Sequence, residues 1–200
     1  MTATTFVDPY AVELEAAELS KEQLKRVLPA QPELYADSET YSREILGEAF
    51  YVHLNLVAEG LRGDIPPFGP APKQSKSIVD TDEKMWVGTY IYFNRSPLTA
   101  LLLCLGIPIY VKFHFEGQGF SAVEKDVVVS IKSRENQFSY WVGTKVSPQE
   151  IGLTPGLYMV SATSQIGPMT HKCGQFVFGN GNIGERRLQV ADQPFTDADD

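Results

Sequence analysis

The sequence predicts a mainly β protein, an antiparallel β-sandwich preceded by an acidic helical arm. Two observations carry this. From Lys84 onward, stretches of alternating apolar and polar residues recur about every 10 to 15 positions with no convincing helix between them. These stretches are rich in Val, Ile, Tyr and Phe, the residues that fit a pleated, half-buried surface. The 200 residues, 43% hydrophobic and 21% charged, suffice for one packed domain with an appendage. The spacing of the strands suggests an immunoglobulin-like or jelly-roll sandwich.

The elements follow in order. Asp8-Pro9 supplies a helix N-cap and a first-turn proline, and "YAVELEAAEL" continues with good helix formers. Ser20 with Gln23 fits a capping box, Leu24, Val27 and Leu28 share a face, and Pro29 and Pro32 end the run. Residues 1–42 therefore read as a helical N-terminal arm. In "EAFYVHLNLVAEG", Ile45, Ala49, His53 and Leu56 match helical spacing. Phe50, Val52, Leu54 and Leu56 match strand spacing better, which predicts a strand over Phe50–Val57. This opens a sandwich domain at 43–192, interrupted by a Pro-rich loop at 63–80 and followed by an acidic tail at 193–200.

"KMWVGTYIYFN" is the next strand, with Trp86, Tyr90 and Tyr92 on one face and Val87, Thr89, Ile91 and Phe93 on the other. The run "SPLTALLLCLGIPIYV" carries no charge. Its roughly 16 residues would reach about 24 Å as a helix, short of the roughly 30 Å of a bilayer core. It also contains Gly106 and Pro108, so no membrane span is expected. Ile109, Val111, Phe113 and Phe115 alternate with Tyr110, Lys112, His114 and Glu116. Two strands are predicted, Leu98–Leu105 and Ile109–Glu116. The first is apolar throughout, which assigns it to a sheet interior and makes Cys104 a small buried hydrophobe. "DVVVSIKS" points Val127, Val129 and Ile131 inward, "QFSYWVG" is a short strand, and "TPGLYMVSATS" is a strand after a turn at Pro155-Gly156. "GQFVFGNGNIGERRLQVAD" reads as two strands about a Gly/Asn turn.

Charge is unevenly spread. Residues 1–60 hold eleven acidic and four basic side chains, residues 192–200 hold four aspartates, and the body between is weakly basic, for a net charge of −8. Acidic ends repel phosphate backbones, so no nucleic-acid partner is expected, and a shell that packages nucleic acid would want a basic arm. The start "MTATTFVDPYAVELE" has no basic n-region followed by an apolar stretch, and the two cysteines suit a reducing compartment. Both point to a cytoplasmic protein.

Few motifs carry chemistry. Gly179-Asn180-Gly181-Asn182-Ile183-Gly184 matches the dinucleotide pattern G-x-G-x-x-G, but only sixteen residues follow, too few for a helix and a second strand. The glycines read instead as a hairpin turn needing positive φ. His171 and Cys173, with Cys104, His114 or Glu116, would suit a metal or a Cys–His nucleophile only if the fold gathers them. No tight C-x-x-C or H-x-H pairing supports this, so neither metal nor cofactor is expected. No catalytic set is legible. The candidate contact face comprises Trp86, Tyr90, Tyr92, Tyr140 and Trp141, with Lys112 and His114 as polar neighbours from a nearby strand.

Two functions fit. One is a non-enzymatic binding or assembly module acting through a protein partner or self-association as a homo-oligomer. The other is a β-barrel enzyme of isomerase, cyclase or lyase type holding a small hydrophobic ligand. An enclosed cavity lined by Trp86, Tyr90 or Tyr92 would favour the second, and a filled core with an outward apolar patch would favour the first.

Overall fold

The computed structural model describes residues 11–16, 38–42, 50–58, 77–93, 95–119, 123–167, 169–171, 174–177 and 179–191. These residues are mainly β, arranged in curled sheets. The strands are β1 (Ala11–Leu14), β2 (Ser38–Ser42), β3 (Phe50–Ala58), β4 (Ile78–Asp80), β5 (Met85–Phe93), β6 (Pro108–Gln118), β7 (Glu124–Lys132), β8 (Ser139–Val146), β9 (Gly156–Ile166), β10 (Met169–His171), β11 (Gly174–Phe176) and β12 (Gly179–Ala191). Among the described residues two helices join them, α1 (Pro97–Cys104) and α2 (Pro148–Ile151).

A seven-stranded sheet runs β1-β7-β6-β9-β12-β2, with β4 also on β12. A three-stranded sheet runs β3-β5-β8, and β10 and β11 form a separate hairpin. Pairing is antiparallel except at two short joins, β1 with β7 and β4 with β12. The alternation in β6 works as the sequence suggests: Ile109, Val111, Phe113 and Phe115 are buried, and Val127 and Val129 of β7 join them. Met85, Val87 and Ile91 of β5 and Val142 and Val146 of β8 belong to the same apolar cluster. The inner faces of both sheets therefore share one core.

Several expectations are corrected. Leu98–Leu105 is not a strand in a sheet interior: Pro97–Cys104 is helix α1. Periodicity cannot separate a short apolar strand from a short apolar helix. The ends decide it. Ser96 caps the helix, its Oγ accepting from Thr99 N at 3.1 Å, and Pro97 occupies the first turn. At the far end Gly106 takes φ 67°, a left-handed geometry that suits glycine after a helix. Ser133 Oγ donates to Leu103 O at 2.7 Å, satisfying a carbonyl of the last turn. Between the caps, leucine and alanine are strong helix formers. Thr99 and Leu103 face inward, and Cys104 is exposed rather than buried.

The Gly/Asn stretch is not a turn. Gly179–Ala191 is one continuous strand, paired with β9 along its length and with β2 at 179–183. Its glycines work in extended backbone, and the hairpin reading fails together with the dinucleotide one. A bulge between Ile183 and Arg186 inserts one residue relative to β9. Before it the odd-numbered Gly181 and Ile183 are buried, and after it the even-numbered Leu188 and Val190 are. The extra residue changes which parity faces the core.

The helical arm is also revised where it is described. Ala11–Leu14 is a strand, because β7 offers it an unpaired edge, and Ser38–Ser42 pairs with β12. Tertiary pairing overrides the helical propensity of "AVEL". The arm positions other than 11–16 and 38–42, the acidic tail, and the Pro-rich loop up to position 76 lie outside the described residues. The last three positions of that loop, Ile78–Asp80, form β4. The strand expected at Phe50–Val57 is present as β3.

Candidate functional site

The aromatic face is built on β5 and β8. Their register sets Trp86 opposite Lys145, Gly88 opposite Gly143, and Tyr90 opposite Trp141. Directly opposed residues point to the same side of a sheet, so these six share the face turned away from the core. The Trp141 indole packs against Gly88. A Cβ at Gly88 would come within 2.1 Å of that ring, and one at Gly143 would meet Val87 O at 2.5 Å. Tyr90 lies 5.1 Å from the Trp141 ring and stacks with Tyr92 at 5.8 Å. Lys145 Nζ sits 5.6 Å from the Trp86 ring, a cation–π contact.

This face is mostly covered. Trp86 is 7% exposed and Tyr90 4%. Two of its polar atoms, Tyr90 Oη and Trp141 Nε1, are buried without a hydrogen-bond partner. Burial, then the neighbouring Tyr92, pushes the Tyr90 hydroxyl far above its ordinary pKa, so it stays protonated.

Tyr140 belongs elsewhere. As the neighbour of Trp141 it points to the opposite face, where its ring meets Phe93 edge-on at 5.8 Å. Its hydroxyl braces the β7–β8 loop, accepting from Arg134 N at 2.9 Å and donating to Gln137 O at 2.7 Å. Burial raises its pKa, and the Arg134 backbone bond opposes the rise.

Lys112 and His114 lie on β6, in the other sheet, on the side away from the shared core. They do not join the aromatic face. They form a polar row across three strands with two residues the sequence did not single out. Lys112 Nζ is 2.7 Å from Asp126 Oδ2, His114 Nδ1 is 2.9 Å from Asp126 Oδ1, and His114 Nε2 is 3.1 Å from Thr163 Oγ1.

Carboxylate, imidazole and hydroxyl in that order form the relay that activates a nucleophile. Two features argue against that use. Lys112 shares the carboxylate that would steady the imidazolium. Thr163 sits inside β9, which is paired with β6 on one side and β12 on the other. Its ladder leaves no pair of free backbone N–H groups to hold an oxyanion. The row ties β7, β6 and β9 together on the outer surface. Only the register brings Asp126 and Thr163 to His114, so no spacing in the sequence could have found them.

His171 is the last residue of β10, and Cys173 lies outside the described residues. Among the described residues no three His, Cys, Asp or Glu side chains are grouped to hold a metal. Among them, too, no helix is long and apolar enough to cross a membrane.

Two surfaces were not foreseen. On α1, Leu98, Leu101 and the capping Leu105 are 38%, 57% and 52% exposed. At the end of β5, an open cleft of about 450 Å3 is bounded by Tyr92, Arg95, Asn136, Gln137 and Phe138. The Ser-Pro pair ahead of the leucines was the available sign of the first. The second needed the β7–β8 loop folded back against β5. No family model matches the sequence, and no curated protein matches it.

Proposed function

We propose that this protein is a non-enzymatic assembly module, of β-sandwich architecture, acting through protein–protein contacts in which a second copy of the chain is the first partner. The observation that carries the reading is the outward face of α1. Positions 98, 101 and 105 are spaced three and four apart, so one side of the helix presents a leucine ridge. Thr99 and Leu103 anchor the opposite side in the protein. Scattered single leucines at a surface need no explanation, but a contiguous apolar ridge marks a contact site.

The ridge carries no charge of its own, and such a surface can pair with itself about a two-fold axis. The burial of Trp86 and Tyr90 supports a contact role over the alternative of an enzyme built around a hollow that they would line. Trp86 and Tyr90 are buried on a sheet whose tryptophan lies on glycine backbone, and the described cleft includes neither of them.

The test is sedimentation of the whole protein and of Leu101→Lys. Wild type is expected to associate as concentration rises and Leu101→Lys to remain monomeric. Because each copy carries net charge −8, added salt should strengthen the association. In a Cys173→Ser background, mild oxidation should link two copies through the exposed Cys104, which neighbours the ridge. A wild type that stays monomeric and forms no Cys104-linked dimer would overturn the self-association. Retention of a different protein, lost in Leu101→Lys, would redirect the contact to that partner.

A further inference from the structure

We propose that the cleft at the end of β5 is a binding site for a small carboxylate with a flat apolar body. This rests on observations separate from the leucine ridge. The walls combine three kinds of group. Tyr92 and Phe138 supply aromatic surface, Asn136 and Gln137 supply side-chain amides, and Arg95 supplies a positive charge. A cleft of about 450 Å3 falls within the range that holds small ligands.

Arg95 sets the ligand's charge. Its guanidinium carbon lies 5.7 Å from the Phe138 ring centre, so the planar cation rests on an aromatic wall of the cleft. Arg95 is exposed, and no carboxylate among the described residues pairs with it. A guanidinium stacked in this way keeps its N–H fork for a carboxylate, which it can hold by two parallel hydrogen bonds. The aromatic surface beside it asks for an apolar body on the same ligand.

The loop bearing the other walls is already held in place. Ser133 Oγ accepts from Ile107 N at 2.7 Å, which ties the start of the loop to the link between α1 and β6. Tyr140 Oη holds Arg134 and Gln137 from beneath. Phe93 N donates to Phe138 O at 2.9 Å, joining the loop to the end of β5. Asn136 takes a left-handed φ of 59° at the tip, a conformation asparagine tolerates better than most residues. Binding to a loop fixed in this way loses little ordering entropy.

The test uses 2-naphthoate, its neutral counterpart 2-naphthamide, and inorganic phosphate, followed by amide NMR shifts of the whole protein. Naphthoate is expected to move the resonances of Arg95, Asn136, Gln137 and Phe138. Naphthamide should bind about tenfold more weakly or worse, the scale of a hydrogen bond to a charged group. Phosphate, with no apolar body, should leave these resonances in place. Arg95→Gln should bring naphthoate down to the affinity of naphthamide, while an unchanged spectrum elsewhere shows that the fold is kept. Equal binding of naphthoate and naphthamide, shifts scattered away from the cleft, or an Arg95→Gln variant that binds naphthoate as wild type does would each overturn the assignment.

Discussion

At Gly88 and Gly143 the side chain is missing because of space, not backbone freedom. Neither has a positive φ, and both sit in paired strands. Gly88 leaves the bed on which the Trp141 ring lies, and Gly143 lets the facing strand approach. That packing strands two polar atoms, Tyr90 Oη and Trp141 Nε1. A buried hydroxyl without a partner forfeits its hydration and recovers nothing. Tyr90→Phe removes the stranded group and keeps the ring, so it should raise unfolding stability by about 1 kcal/mol in urea denaturation. A loss of similar size would show that the hydroxyl is hydrogen-bonded in solution.

Helices α1 and α2 show how ends decide an element. α1 is specified by Ser96 and Pro97 before it and by Gly106 after it. The short α2 is set by Ser147-Pro148 and ends at Gly152, with φ 77°. Glu150 Oε2 accepts from Ser147 N at 2.8 Å, and the Glu150 carboxylate also pairs with Lys84. The Lys84 ammonium first, then the Ser147 N–H, holds the Glu150 carboxyl below its ordinary pKa. A depressed folded-state pKa contributes stability above the ordinary glutamate range and loses it as pH falls through the folded value. Both side chains of the pair are about half exposed, so solvent screens it. Glu150→Gln should cost less than about 1 kcal/mol at neutral pH. The gap between the two proteins should close at acidic pH, read from urea midpoints at both pH values. A gap that persists in acid would show that the carboxylate's charge is not what stabilises α2.

Across the whole molecule, one apolar cluster joins the two larger sheets. Both tryptophans, Trp86 and Trp141, stand on the three-stranded sheet, so their fluorescence reports that sheet alone. Phe113 is fully buried in the seven-stranded sheet. Phe113→Ala should cost about 3–5 kcal/mol, the range for emptying an aromatic site in a core. Because the core is shared, the tryptophan transition should move with it and coincide with the loss of far-ultraviolet circular dichroism. A tryptophan transition that stays put would mean that the sheets unfold as separate units.

The sequence by itself determined the β class and the strands marked by alternating residue types: β3, β5, β6, β7, β8 and β9 were all legible. Period two is a local property, and it survives whatever the neighbours are. The caps of α1 were equally local and present as Ser96-Pro97, but a continuous apolar run hides its own period, so Leu98–Leu105 read as a strand. Tertiary structure alone decided the rest. Gly179–Gly184 looks like a turn until β2 and β9 are seen pairing on either side of it. "AVEL" favours a helix until the edge of β7 draws it into a sheet. Asp126 reaches His114 only through the register of β6 with β7, and Arg95 reaches Phe138 only because the β7–β8 loop folds back on β5. Each of these rests on residues far apart along the chain. Their proximity is a consequence of which strands pair and in what register, and no local pattern of residue types encodes it.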